Sequence, residues 1–303
     1  MTHHLFLFSF KPINLTRQGT LRLMQLIGLV CFWLVMSPGV QAQQRPLLTE
    51  DVDIIPPGKV RAQLGVEFLQ DQRFGLSGLR GDVTRAGWAG LHFGLSSNVS
   101  FSVEGVMRNF LNIHETGPSP IPLSIAPGAT STSDFGDLTL STKVKLRNEG
   151  KRMPSLGFKL GVTLPNSDQA RGIGTNTLNL FATTLVGKNF LNGRLRTFGN
   201  IGMGILADTL DARAQQDVLL YGVAGILKVN ERLNLLGEVN GRYNPRRAKP
   251  GLESQSQARF GMQLKAGGFQ WDVAAIKGLT DFSPQSGVSL GVTYDFKAFE
   301  PVK

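Results

Sequence analysis

The chain has one cysteine in 303 residues, and that residue, Cys31, lies in the first apolar stretch. If this stretch is removed on export, the mature chain has no thiol, which excludes disulfides, thiolate metal sites and cysteine nucleophiles. The remaining sequence also lacks helical periodicity and any run of 18 apolar residues. A transmembrane helix is therefore not expected, and any membrane insertion has to use strands.

Residues 1–42 have the composition of an export signal. Lys11, Arg17 and Arg22 form a basic segment without acids, and a short apolar stretch follows over residues 23–36. Small residues end at Ala42, after which we predict cleavage. A membrane anchor is the alternative, but the stretch is shorter than the roughly 20 residues that a helical span needs.

Removing the three basic residues lowers the formal net charge from +10 to +7. No basic and aromatic motif accompanies this charge, so no nucleic acid partner is expected. Residues 43–57, which end in Pro-Pro-Gly, are predicted to be a periplasmic lead-in to a barrel over residues 58–297, and residues 298–303 a short C-terminal tail.

The main pattern in the chain is strict alternation of apolar and polar residues. Between Val288 and Phe296 every second residue is apolar, and polar or small residues stand between them. Side chains of a strand point to opposite faces with a period of two, so this pattern predicts a ribbon with lipid on one face and water on the other. It recurs at about residues 59–69, 83–95, 98–109, 135–147, 154–164, 176–189, 193–206, 217–229, 232–243, 255–266, 270–278 and 287–297.

The connections between these twelve predicted strands alternate between long and short. Bacterial barrels place short turns in the periplasm and long loops outside, so both ends of the barrel are expected in the periplasm. The fold class predicted is all-β, a transmembrane antiparallel up-and-down barrel of about twelve strands. The longest loop, residues 111–134, is a candidate to fold over or into the pore.

Residues 134–165 resemble a known family. They contain Asp134-Phe135-Gly136-Asp137-Leu138-Thr139-Leu140, then Lys143, Leu146 and Pro154, and end in Gly161-Val162-Thr163-Leu164-Pro165. This order resembles the outer-membrane transporter family named for the meta-pathway of phenol degradation. Asn166-Ser167 stand where a Thr-Gly often follows in that family. The resemblance implies passive passage of small, often aromatic or hydrophobic, compounds, and it implies no particular binding residues.

Basic residues dominate the predicted lumen face. A basic pore raises the local concentration of anions, but the same charges can instead pair across the lumen and fill it, which the sequence favours. Lys143, Lys145 and Arg147 on one strand and Lys159 on its neighbour are the best candidates for a selectivity patch, with Asp137 as their expected acidic partner. The full set of predicted pore-lining residues is Lys143, Lys145, Arg147, Lys159, Asp137, Arg194, Arg196 and Trp88.

An enzyme is not expected, although barrel lipid hydrolases that use a histidine and a serine exist. Only His92 and His114 follow the signal, and neither has the His-x-Ser-Asn pattern of such an enzyme. We expect His92 in the lumen and His114 in a loop. Two distant histidines also give no metal-ligand spacing, so neither a catalytic site nor a cofactor is predicted.

The sequence therefore predicts a porin-like channel of the bacterial cell outer membrane that lets small solutes, aromatic or anionic, pass without energy coupling. The expected partners are outer-membrane lipid, the solute and the outer-membrane assembly machinery. Two alternatives stay open: a closed structural or adhesion barrel with a filled lumen, and a barrel lipid hydrolase.

Overall fold

The computed structural model describes residues 45–211 and 213–300. Its regular elements are thirteen strands and two short 3₁₀ helices, Gln169–Arg171 and Leu191–Gly193. The strands are β1 (Lys59–Arg73), β2 (Leu79–Gly94), β3 (Val99–Thr116), β4 (Ser131–Asp134), β5 (Leu138–Arg147), β6 (Ser155–Leu164), β7 (Asn179–Phe190), β8 (Leu195–Ala207), β9 (Gln215–Lys228), β10 (Leu233–Tyr243), β11 (Gln255–Ala266), β12 (Phe269–Gly278) and β13 (Ser286–Lys297).

The strands close into an antiparallel barrel. β1 pairs with both β2 and β13, so Gly65 lies between Trp88 and Gly291 and the sheet has no free edge there. β4 and β5 both pair with β3 and are separated only by residues 135–137, so together they occupy one place in the wall. The wall thus has twelve strand positions, which confirms the predicted architecture.

The two faces of the wall have opposite chemistry. In β13 Val288 and Leu290 are 43% and 44% exposed on the outside, whereas Ser289 and Thr293 are buried in the lumen. This arrangement inverts that of a water-soluble protein and is the one that a lipid-facing barrel requires. The same division holds for apolar residues exposed on other strands, among them Leu64, Leu160, Ile201, Val223, Val239, Phe260 and Met262.

The connections are sorted between the two ends of the barrel. One end carries the connections 95–98, 148–154, 191–194, 229–232 and 267–268, and the other carries the larger loops together with the β1 to β2 connection at 74–78. This last connection is shorter than predicted because β1 and β2 extend beyond their predicted ends. The barrel begins and ends at the short-turn end, where the amide of Gly58 donates to Gly94 O and the amide of Ala298 donates to Gly58 O, both at 2.9 Å.

The loop that follows β3 packs over part of the opposite end. Its residues Leu123 and Ile125 lie against a buried apolar cluster that includes Leu69, Val83 and Leu111. Residues 111–116 and 131–134 belong to strands, so the loop itself is shorter than the predicted 111–134. In the part of the chain that the structure describes, no helix has the length and apolar character needed to cross a membrane.

The segment before β1 lies inside the barrel. Leu47 and Val52 are 1% and 0% exposed, and Glu50 and Asp51 are buried against lumen-facing side chains. The sequence predicted a lead-in outside the barrel at residues 43–57, and that placement was wrong for the described residues 45–55. The prediction considered only the length and composition of the segment, whereas its acidic residues are complementary to the basic lumen. We call residues 45–55 the lumen segment.

Candidate functional site

The lumen segment is anchored by an apolar contact and by ion pairs. Leu47 packs in a cluster on the lumen side of the wall that also contains Phe198, Ala224, Ile226 and Leu236. These wall residues come from β8, β9 and β10. A fully buried leucine contributes roughly 1.5–3 kcal/mol of hydrophobic free energy, so this contact is one of the stronger interactions of the segment.

Glu50 is the central charged contact. Lys143 Nζ donates to its Oε1 at 2.7 Å, and Lys159 Nζ donates to its Oε2 at 2.6 Å. The two lysines are directly paired neighbours on β5 and β6, so their ammonium groups approach the carboxylate together. Burial alone would raise the pKa of Glu50, which precedes the first strand, but the two ammonium groups outweigh burial and hold that pKa well below its usual range.

The next carboxylates of the segment bind further cations. Arg196 on β8 holds Asp51 through a fork, with Nη2 to Oδ1 at 2.6 Å and Nε to Oδ2 at 3.1 Å. Lys145 on β5 donates to Asp53 Oδ1 at 2.9 Å. Because charge-assisted and forked hydrogen bonds are the stronger kind, these pairs fix the segment in one register along the lumen.

Side chains of the wall also form hydrogen bonds with the main-chain amides and a carbonyl oxygen of the segment. Glu238 accepts hydrogen bonds from the amides of Leu48 and Thr49, at 2.8 Å in each case. Asn200 accepts from the amide of Glu50 and donates to its carbonyl oxygen, both at 2.7 Å. An extended segment has no internal partners for these groups, so polar wall residues are required to bury it.

Arg45 is the first residue of the described segment and lies inside the barrel. Its guanidinium carbon lies 3.0 Å from the centre of the Trp88 ring, and its Nη2 lies 3.7 Å from Glu104 Oε1. Trp88 follows Gly87, whose φ of 66° marks an irregularity in β2. The ring of Trp88 is covered by Arg45 of the segment.

Four of the predicted pore-lining cations, Lys143, Lys145, Lys159 and Arg196, meet at the lumen segment. Other lumen charges pair with one another: Arg61 binds Asp295 at 2.6 Å, and Arg259 binds Glu67 at 2.8 Å. The nearest partners of Lys143, Lys145 and Lys159, however, come from the segment, and the wall acid Glu104 lies farther from Lys159 Nζ, at 3.9 Å.

The remaining predicted residues lie elsewhere. Arg147 is exposed near the short-turn end and donates to the carbonyl of Pro154 at 3.2 Å. Arg194 is exposed in the connection before β8, where its amide donates to Leu191 O.

Asp137 does not pair with the lysines, which corrects the sequence prediction. It lies at the long-loop end and accepts from the amides of Asn166 and Ser167 at 3.0 Å. The wall is interrupted at residues 135–137, and Lys143 lies six positions beyond Asp137 along the chain, roughly 20 Å at about 3.3 Å per residue.

A cavity of about 570 Å³ lies in the lumen between the segment and the long loops. Part of its lining is formed by Leu48, Thr49 and Glu50 of the segment. It is also lined by Gly75, Gly174 and Glu253, which belong to loops at the long-loop end of the barrel. Four cations, Arg73, Arg85, Lys159 and Arg242, line it against Glu50 and Glu253. The cavity therefore approaches the segment from the long-loop side, and it is mainly basic.

The two described histidines lie in different parts of the barrel. His92 is buried in the lumen, with Nε2 at 2.9 Å from Gln63 Oε1. His114 Nε2 lies 3.5 Å from Asp82 Oδ2 at the long-loop end of the barrel. No group of three or more potential metal ligands occurs among the described residues.

The functional residues of the lumen segment itself were not among those predicted from the sequence. Glu50, Asp51 and Asp53 form an acidic group in a chain whose predicted lumen is basic, and Pro56-Pro57-Gly58 provides a change of direction between this group and β1. Charge complementarity between the segment and the lumen was the available signal.

Comparison with known proteins gives structural likeness only. No protein-family model matches the sequence, and no curated protein matches it. An outer membrane channel from Pseudomonas putida F1 has a similar structure, with a TM-score of 0.58 and 14% identity, over 86% of this chain and 100% of the channel. At this identity the likeness concerns the fold, that of an outer-membrane barrel.

Two further solved structures are more distant. The translocator domain of the autotransporter NalP from Neisseria meningitidis has a TM-score of 0.45 and 12% identity over 94% of this chain and 100% of the domain. The CymD monoaromatic hydrocarbon channel has a TM-score of 0.43 and 10% identity over 81% of this chain and 90% of that one.

Proposed function

We propose that the protein is a bacterial outer-membrane channel for small solutes whose lumen is closed by its own residues 45–55. The observation that carries the proposal is the end of the lumen cavity. The polar lumen contains a cavity that ends at the segment, and side-chain contacts hold the segment in place. The segment does not pair as a strand with the wall, so it can leave without breaking the ladder that closes the barrel. Release of the segment opens the lumen.

The outer surface supports insertion in a membrane. Its apolar band is accompanied by aromatic residues near the short-turn end, where the Phe269 ring lies 5.1 Å from that of Tyr294 and 6.2 Å from that of Trp271. Aromatic side chains at this level suit the boundary between lipid and water. Together with the predicted export signal at residues 1–42, this surface supports a location in the outer membrane, which we propose is reached through the outer-membrane assembly machinery.

The lumen favours anionic solutes. The resemblance of residues 134–165 implies small aromatic compounds, but the ring of Trp88 is covered by Arg45, and the charged residues that line the cavity are mainly basic. In a narrow pore such a lining concentrates anions. Aromatic carboxylates satisfy both expectations.

A closed structural barrel is the second candidate, because the segment fills the lumen in this conformation. A lipid hydrolase is disfavoured, since His92 faces Gln63 inside the lumen and not the lipid-facing rim. Whether the segment can leave separates the channel from the closed barrel.

A reversible covalent lock tests the proposal. A Cβ added at Gly222 would lie 3.3 Å from Thr49 Cβ, close to the roughly 3.5–4.5 Å found in disulfides. The double variant Thr49→Cys/Gly222→Cys should form a bond between the segment and β9. Single-channel recording in planar bilayers should show conductance steps under reducing conditions and their loss on oxidation.

The single variant Thr49→Cys is the matched control and should conduct equally in both conditions. Equal conductance of the oxidised and reduced double variant would contradict closure by the segment. Silence of wild-type protein that shows heat-modifiable mobility in gels would favour the closed structural barrel.

A further inference from the structure

The lumen already contains a complete carboxylate-binding site, and the chain itself occupies it. The Glu50 carboxylate receives one lysine on each oxygen, from Lys143 and Lys159. Lys143 and Glu50 are 6% and 5% exposed, so the contact is largely shielded from water. These lysines are directly paired on β5 and β6, and this pairing does not involve the segment.

A second carboxylate site lies beside the first. Arg196 binds the carboxylate of Asp51, the residue next to Glu50, through two hydrogen bonds. A planar guanidinium fork matches a carboxylate better than a single ammonium group does. The wall thus binds two neighbouring carboxylates at once, with cations from β5, β6 and β8.

The occupied site can be approached from the long-loop side. Glu50 and Lys159 both line the cavity, and Arg73, Arg85 and Arg242 line the same space. An anion entering at the loops meets these cations before it reaches Lys159. At Lys159 it has to compete with Glu50 for the ammonium group.

We infer that Lys143, Lys159 and Arg196 form a binding site for solutes with two carboxylates, and that such a solute opens the lumen by replacing Glu50 and Asp51. The inference rests on the proposed function, because it assigns the solute class and the trigger of the same channel. Segment and solute bind the same cations, so binding of one excludes docking of the other.

The number of carboxylates sets the expected effect. A monocarboxylate replaces Glu50 but leaves the fork between Asp51 and Arg196 intact, whereas a dicarboxylate replaces both contacts. If the solute binds only the released state, the ratio of open to closed channels rises by a factor of 1 + [L]/Kd, about 100-fold at a concentration of 100 Kd.

The test is current recording with the wild-type chain at constant ionic strength. Succinate, glutarate and adipate are added in turn on the long-loop side, with acetate and chloride as reference anions. We expect a saturable rise in open probability with a dicarboxylate and a much smaller rise with acetate. The rate at which a water-soluble reagent labels the thiol of Thr49→Cys gives a second readout of release and should rise in parallel.

Variants of the site separate recognition from general electrostatics. Lys159→Met and Arg196→Met should reduce the ratio of the dicarboxylate response to the acetate response, whatever their own basal opening. Arg147→Met removes a cation from the same strand as Lys143 without touching the segment, so it should keep the wild-type ratio. If Arg147→Met reduced the ratio of the dicarboxylate response to the acetate response as much as Lys159→Met and Arg196→Met do, recognition by this site would be overturned.

The two hypotheses fail in different ways. One possible result is that the reduced double variant conducts and the oxidised one does not, while dicarboxylates change neither open probability nor labelling. In that case the segment closes the channel, but the inferred site is wrong. If oxidation changes nothing, closure by the segment is wrong and the inference is overturned with it.

Discussion

At the scale of single residues, the lumen segment is held by buried apolar side chains as well as by its charges. Leu47 is 1% exposed, whereas its neighbour Leu48 is 39% exposed and lines the cavity. The two residues have the same side chain but differ in burial. They form a matched pair for measuring what the apolar anchor contributes to closure.

Leu47→Ala should release the segment more often, because it removes the side chain that fills the cluster around Phe198. Truncation of a buried leucine costs about 2–5 kcal/mol, which corresponds to roughly 30-fold or more in the docking equilibrium. Open probability in planar bilayers measures this change. Leu48→Ala should shift it far less, and equal effects of both variants would show that burial of Leu47 does not hold the segment.

At the scale of elements, the segment binds to the wall through carboxylates that have to be ionised. The ammonium groups of Lys143 and Lys159 lower the pKa of Glu50 in the docked segment. In the released segment this carboxyl returns to its ordinary pKa of 4.5. The contribution of Glu50 to docking is therefore fully present above pH 4.5 and is lost as the pH falls from there toward the lower pKa of the docked state.

Open probability should accordingly stay constant from pH 7 to about pH 5 and rise below pH 4.5, by up to about tenfold per pH unit from this group. Bilayer recordings between pH 7 and pH 3.5 measure the slope. Glu50→Gln has no proton to gain and should give a flatter profile. A wild-type profile that falls with acid would contradict the assigned ion pairs.

At the scale of the whole molecule, stability in a bilayer depends on the division between an apolar outside and a polar lumen. Val223, in the middle of β9, is 69% exposed on the outer face. Leu210 is 44% exposed as well, but it belongs to the loop between β8 and β9. Both are exposed apolar residues, and only the first lies in the wall.

Val223→Lys should destabilise the inserted barrel by about 2–4 kcal/mol, the cost of a lysine near the bilayer midplane. Urea titration of protein refolded into lipid vesicles measures the loss. Leu210→Lys should be close to neutral because its charge stays in water. If Val223→Lys were equally neutral, the assignment of this face to lipid would be wrong.

Much of the fold could be predicted because its signal is local. Each strand carries its own alternation, so the faces of Val288 and Ser289 follow from their neighbours in sequence, as do most strand bounds and the sorting of the connections. Irregularities were not predictable in this way. Alternation with Leu138 and Leu140 places Asp137 on the same face as Lys143 but does not bring the two together, because six positions along a strand span roughly 20 Å.

A barrel with apolar residues outside and basic residues inside follows from the amino-acid sequence alone, because a period of two is a property of each strand. What neutralises the basic residues follows only from the folded barrel. Glu50 lies 93 residues from Lys143, and Leu48 lies 190 residues from Glu238. Contacts over such distances arise when the barrel closes around the segment, and the pattern of a single strand does not contain them.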